Sequence, residues 1–202
     1  SVTYDGKQML TRSRLGLNTN VGDYTQNLTM TGAKTSMVSK EYDLSRSKTS
    51  HVKYSANTLT LDYKNAKGNE MSITFNVSNN DIAFRYTLER PGKKNPKCAV
   101  VYSETSSFNF PDKTTTFLTP QAKPFLGWER TKPSYEEEYT HDAPMTQKSK
   151  YGVGYTFPAL FHVGTDGWVQ VSETGVDGGY CGARLSDYVD GKGYKVAYPQ
   201  EM

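Results

Sequence analysis

The sequence predicts an all-β fold, a large antiparallel β-sandwich formed by one domain over residues 1–202. Three observations carry that expectation. Apolar residues alternate with period two in segment after segment, turn residues separate those segments, and no window of helical length shows a convincing 3.6-residue apolar repeat. Aromatic enrichment agrees: 15 Tyr, 8 Phe and 2 Trp bring aromatics to 12%, and such residues suit pleated, half-buried surfaces.

The chain opens with Val2-Thr3-Tyr4, turns at Asp5-Gly6, and continues as Lys7-Gln8-Met9-Leu10. Asp-Gly between two alternating runs signals a hairpin, because a type I′ turn needs positive φ at both central residues. Thr58 to Tyr63 alternates, Asn65 to Gly68 turns, and Met71 to Val77 alternates again. Asn79-Asn80-Asp81 then turns into Ile82 to Leu88, giving consecutive strands of an antiparallel meander. Short strands are expected at Cys98–Tyr102, Ser106–Phe110 and Tyr135–Thr140. Further strands are expected at Tyr155–Val163, with an edge or bulge at Pro158, and at Trp168–Glu173. Met37–Ser47 is the best helical window and a poor one. Residues 111–134 contain Pro111, Pro120, Pro124 and Pro133 with Phe117, Phe125 and Trp128. Proline removes backbone donors, so this stretch reads as a long aromatic loop of functional or interfacial type.

Several functions are excluded at this level. The balance of 24 basic and 21 acidic residues leaves +3, too weak and too scattered for nucleic acid. There is no apolar run of about 18 residues to span a membrane. No apolar segment opens the chain at Ser1, so any secretion signal is expected to have been removed or never to have been there. Neither dinucleotide nor P-loop phosphate motifs occur, nor does a G-x-S-x-G nucleophile elbow. Cys98 and Cys181 lack metal or redox spacing and are read as two buried free thiols, not bonded to each other.

The residues offer few candidates for chemistry. His141-Asp142 could pair a base with a carboxylate, although sequence neighbours seldom serve each other in that way. In Tyr135-Glu136-Glu137-Glu138-Tyr139, strand alternation would place Glu136 and Glu138 on one face and Glu137 with the tyrosines. A solvated face or a domain contact is the better reading than a catalytic pair. Glu173 ends an alternating segment beside a glycine-rich turn, where a carboxylate can face a neighbouring domain or an ion. His162 and Glu173 are the acid and base that a mutarotase-like epimerase would require. Exposed Tyr and Trp leave open a stand-alone carbohydrate-binding module, because aromatic rings cover the apolar faces of sugars.

Five segments in order carry a more specific signal. They are Val2–Lys7 with Ser13–Leu17, Asp81–Tyr86, Ser134–Tyr139, Phe157–Leu160, and Trp168 through Ser172-Glu173-Thr174-Gly175 to Tyr180 and Leu185. Together they resemble the N-terminal domain of glycoside hydrolase family 97, over nearly the whole chain. The resemblance implies a super-sandwich related in shape to galactose mutarotase. It implies packing on a catalytic (β/α)8 barrel of the same polypeptide, followed by a small C-terminal β-domain. It further implies hydrolysis of α-linked oligosaccharides (α-glucosides or α-galactosides) in the periplasm or cell envelope. An active-site calcium would take one carboxylate ligand from this domain, at the position of Glu173, with the metal bound only in the full-length enzyme. Trp128, Tyr135 and Glu137 are the candidates for the cleft or the interface with the barrel. The carboxylates that act on the substrate belong to the barrel, so no catalytic residue is expected here and the domain alone is expected to be inactive. Residues 37–56 lack the Trp and Asn pattern of the α-glucosidase members, which marks a divergent subgroup. The chain stops where a barrel should begin, which reads as a fragment boundary.

Overall fold

Asp5 and Gly6 adopt φ of 48° and 73° and join β1 (Val2–Tyr4) to β2 (Lys7–Leu10) in the expected hairpin. The structure, a computed structural model, describes residues 1–88, 99–122 and 137–198. Every regular element among them is a strand. After the hairpin come β3 (Leu17–Thr19), β4 (Gly22–Asp23), β5 (Thr29–Asp43), β6 (His51–Lys64), β7 (Glu70–Val77), β8 (Ile82–Leu88) and β9 (Val101–Glu104). Then follow β10 (Ser107–Phe108), β11 (Thr114–Phe117), β12 (Ala143–Pro144), β13 (Ala159–Val163), β14 (Trp168–Val171), β15 (Arg184–Leu185) and β16 (Tyr194–Ala197). The all-β, antiparallel expectation is met. Among the described residues, no helix is long and apolar enough to cross a membrane.

The chain divides into two compact units, Ser1–Leu17 with Ser103–Met202, and Asn18–Tyr102. The second unit is built on the sheet β5-β6-β7-β8. The turn between β6 and β7 is held by Asn65, whose Oδ1 accepts from the amides of Lys67 and Asn69, each at 3.0 Å. Period-two alternation then sorts the side chains. Cross-strand polar pairs line one face: Thr58 with Asn76 at 2.8 Å, Thr60 with Thr74 at 3.1 Å and Ser72 with Asp62 at 2.5 Å. Leu59, Leu61, Ile73, Phe75 and Phe84 occupy the other face, in register with one another. β5 differs from its neighbours because it is exposed along almost its whole length. Near its far end His51 sits between two carboxylates, Asp43 at 2.7 Å and Glu41 at 2.8 Å.

The first unit holds the larger core. Its main sheet runs β12-β11-β13-β14, and β16 lies between β10 and β15 in a second sheet. Phe110, Leu118, Tyr155, Ala159, Phe161, Val163, Leu185 and Tyr194 meet in one cluster. The rings of Phe110 and Phe161 stack with centroids 4.0 Å apart, and Tyr194 lies 5.2 Å from Phe161. Phenols buried this deeply need acceptors. Tyr155 donates to the carbonyl of Gln147 at 3.0 Å and Tyr194 to that of Met145 at 3.1 Å. Gly154, at φ 96°, packs so close to the Leu185 carbonyl that an added Cβ would collide with it.

These phenols make the core sensitive to base. Burial, followed by the charge of Asp187, pushes Tyr155 up to about 12 from an ordinary 10.0. Burial raises Tyr194 as well. The folded state therefore holds these protons more tightly than the unfolded chain does. The resulting stabilisation is complete below pH 10 and is lost as pH rises from about 10 through 12. Urea unfolding followed across that window should show a falling unfolding free energy, with absorbance at 295 nm reporting ionisation of the buried phenols upon unfolding. An unfolding free energy that stays flat from pH 9 to 12 would contradict the assignment.

Several boundaries differ from expectation. The Met37–Ser47 window lies in β5 and the turn after it. Residues 137–140 of the expected Tyr135–Thr140 strand are not strand; the Thr140 amide bonds the Leu118 carbonyl at 2.8 Å, outside any ladder. Between Tyr155 and Val163 only Ala159–Val163 is strand, and Tyr155 makes isolated bridges to Pro120 and Leu185. The strand expected to reach Glu173 ends at Val171. Cys181 is a free thiol as expected, but it is exposed instead of buried, because it lies in the glycine-rich surface loop. Cys98 lies outside the described residues.

Candidate functional site

The segment from Ser172 to Ala183 leaves β14 and returns at β15 as an irregular loop. Its residues explain its shape. Gly175 and Gly182 take φ of 68° and 71°, a left-handed conformation in which a side chain would be strained. Asp177 forms an Asx turn, its Oδ1 accepting from the Gly179 amide at 2.8 Å. Glu173 closes the loop: its Oε1 accepts from the Ala183 amide at 2.7 Å and from the Tyr180 hydroxyl at 3.0 Å. Among the described residues, Oε2 of Glu173 accepts nothing. The carboxylate is thus anchored through one oxygen and open at the other.

A second carboxylate–phenol pair adjoins the first. Tyr198 donates to Oε2 of Glu104 at 2.6 Å, and Glu104 is buried. Arg184, between Tyr180 and Tyr198 in sequence, donates through Nε to the Val153 carbonyl at 2.7 Å and through Nη1 to the Tyr198 carbonyl. Burial raises both phenols above their ordinary range. For Tyr180 the hydrogen bond and charge of Glu173 add to this, and for Tyr198 those of Glu104. The phenols remain protonated donors at neutral pH, and the carboxylates are their acceptors.

The other candidates fall elsewhere. Glu137 accepts from the Tyr151 hydroxyl and from Lys150 Nζ, each at 2.8 Å, and its side chain is only 5% exposed. The bond to Glu137 raises the Lys150 pKa. Trp128 and Tyr135 lie outside the described residues. Asp142 does not orient His141. It accepts from Thr115 at 2.5 Å and lies 3.9 Å from His162 Nδ1, while the His141 ring stands edge-on to Phe117 at 5.3 Å. His162 and Glu173, the pair an epimerase would need, do not come together. His162 stacks on Trp168 with centroids 4.1 Å apart and is in register with it. Glu173 lies beyond the opposite end of the same strand, more than about 10 Å away along its length. Sequence reasoning did not single out Glu104 or assign a role to Tyr180. The one available signal for Tyr180 was its place within the motif that contains Glu173.

Among the described residues no three His, Cys, Asp or Glu side chains converge as a metal site would require. Calcium takes six to eight oxygens. The open oxygen of Glu173 fits such an ion as one hard donor of a larger set.

The family described as Glycosyl-hydrolase 97 N-terminal matches residues 1–200. The chain belongs to this family. A β-arabinopyranosidase crystal structure is similar to this glycoside hydrolase 97 N-terminal domain at 53% identity and a TM-score of 0.92, covering 99% of this chain and 32% of that one. Two structures of a glycoside hydrolase family 97 enzyme from Pseudoalteromonas sp. strain K8, in complex with panose and with acarbose, share the fold. Each has 17% identity and a TM-score of 0.74, covering 97% of this chain and 28% of that one. The chain thus spans about a third or less of these solved relatives. No curated protein matches it.

Proposed function

We propose that this N-terminal domain belongs to a calcium-dependent glycosidase, packs on the catalytic (β/α)8 barrel of its own polypeptide, and contributes Glu173 to the active-site calcium. The carrying observation is the half-anchored Glu173 carboxylate, with Oε1 fixed by Tyr180 and Ala183 and Oε2 open. One carboxylate supplies one or two of the oxygens that calcium takes, so the barrel provides the rest. When bound, the ion supplies a fixed positive charge in the cleft. This chain's part is to hold one ligand oxygen still.

The substrate class follows the 53% identical relative, a β-arabinopyranosidase. The parent enzyme hydrolyses β-arabinopyranosides in preference to α-glucosides or α-galactosides, and it acts in the periplasm or cell envelope. The divergence at residues 37–56 from the α-glucosidase pattern supports the same choice.

The test is hydrolysis of nitrophenyl glycosides. The full-length enzyme should cleave the β-arabinopyranoside fastest, and chelation of calcium should abolish turnover. The isolated domain should cleave none of the three, because glycoside hydrolysis needs two carboxyls flanking the bond, about 5 to 9.5 Å apart. Turnover by the isolated domain that is lost on replacing one of its own carboxylates would refute the proposal.

A further inference from the structure

We infer that Tyr180 is a positioning residue for Glu173, and that Glu173 offers the ion a single oxygen, Oε2. This rests on the calcium reading above and adds to it the way in which the ligand is aimed.

The geometry supports this in three steps. First, a glutamate on an irregular loop has free side-chain torsions, and fixing them against a weakly structured backbone requires contacts beyond the Cα position. β14 ends at Val171, so the sheet itself does not orient Glu173. Second, two donors converge on one oxygen. The Ala183 amide reaches Oε1 at 2.7 Å and the Tyr180 hydroxyl reaches it at 3.0 Å. Bonds from neutral donors to an ionised carboxylate are stronger than neutral pairs. With a single donor the carboxylate could still swing about that bond; a second donor on the same oxygen holds Oε1 in place and narrows that swing. Third, the donors come from the far side of the same loop, seven and ten residues beyond Glu173. Tyr180 is itself placed by local turn chemistry, with its amide on the Asp177 carbonyl at 3.1 Å. Closing the loop and aiming the ligand are therefore one event. Oε1 already accepts two bonds, which leaves Oε2 as the oxygen free for a cation.

Tyr180→Phe removes one of the two donors and keeps the ring. The domain's hydrophobic core cluster does not include Tyr180, so the fold is retained. The experiment uses the full-length enzyme and calcium chloride as titrant. Isothermal calorimetry should show calcium affinity about tenfold weaker for Tyr180→Phe, in the range usual for losing a partner that orients a metal ligand. Turnover should recover towards wild type at saturating calcium, and the melting temperature in chelator should be unchanged. A Tyr180→Phe enzyme with wild-type calcium affinity, alongside a Glu173→Ala enzyme whose affinity is lost, would overturn the positioning role alone. Wild-type affinity in both variants would overturn the calcium reading as well.

Discussion

Glu173→Ala in the full-length enzyme is expected to lower calcium affinity by at least about 100-fold and to lower activity at low calcium in proportion. Replacing a metal ligand costs more than the 10–100-fold typical of losing a residue that supports one. Glu173→Gln separates charge from shape. It retains a carbonyl oxygen that can accept from Ala183 and Tyr180, but it presents no negative charge to the ion, so it should fall between wild type and Glu173→Ala. Stability should change little in either variant. Glu173 lies in a surface loop outside the core, and changes of this kind stay near about 1 kcal/mol or below. Calcium calorimetry with thermal unfolding in chelator measures both halves of the expectation. A Glu173→Ala enzyme that is fully active at low calcium would remove the residue from the metal site.

Phe161→Ala is expected to have the largest effect on the fold, destabilising the domain by about 3–5 kcal/mol. Phe161 is fully buried at the middle of the central strand β13, paired with Thr116 on one side and Val169 on the other. Its ring is stacked on Phe110 and flanked by Tyr194. Truncation removes the transfer free energy of the ring and leaves a cavity between aromatic neighbours held by their own strands. At this chain length 1 kcal/mol corresponds to roughly 2–4 °C, so melting should occur on the order of 10 °C or more below wild type. Val169→Ala, on the neighbouring strand at a partly buried position, should cost clearly less. Equal losses in the two variants would mean that the core is not centred where the structure places it.

How much of this was legible in the sequence depended on whether one face of each strand is buried. β7 and β8 were readable because Ile73, Phe75, Phe84 and their neighbours pack on one side while hydroxyls and amides occupy the other. The long strand β5 left no such pattern. It is exposed on both faces, so nothing constrains its residues to alternate, and Met37–Ser47 could be weighed as a helix. The Asp5-Gly6 hairpin was legible because its backbone demands two residues that tolerate positive φ. Residues 137–140 misled because the glutamates stand between two tyrosines, a residue type that favours strands, while the structure turns Glu137 inward onto Lys150 and Tyr151. At the site, Glu173 stood out at the end of an alternating segment beside a glycine-rich turn, and its motif gave it the metal-ligand role. The contacts that define its geometry form when the loop folds back, and spacing alone does not show that Tyr180 and Ala183 reach the same oxygen. Glu104 reaches its partner Tyr198 across 94 positions of sequence, with no local signal at all.

The most direct test is a crystal structure of the full-length enzyme grown with calcium. The account predicts an ion bound with Oε2 of Glu173 at roughly 2.3–2.6 Å, while Oε1 still accepts from Tyr180 and Ala183 and the remaining ligands come from the barrel. An active-site calcium whose coordination is complete without any oxygen of Glu173 would contradict it.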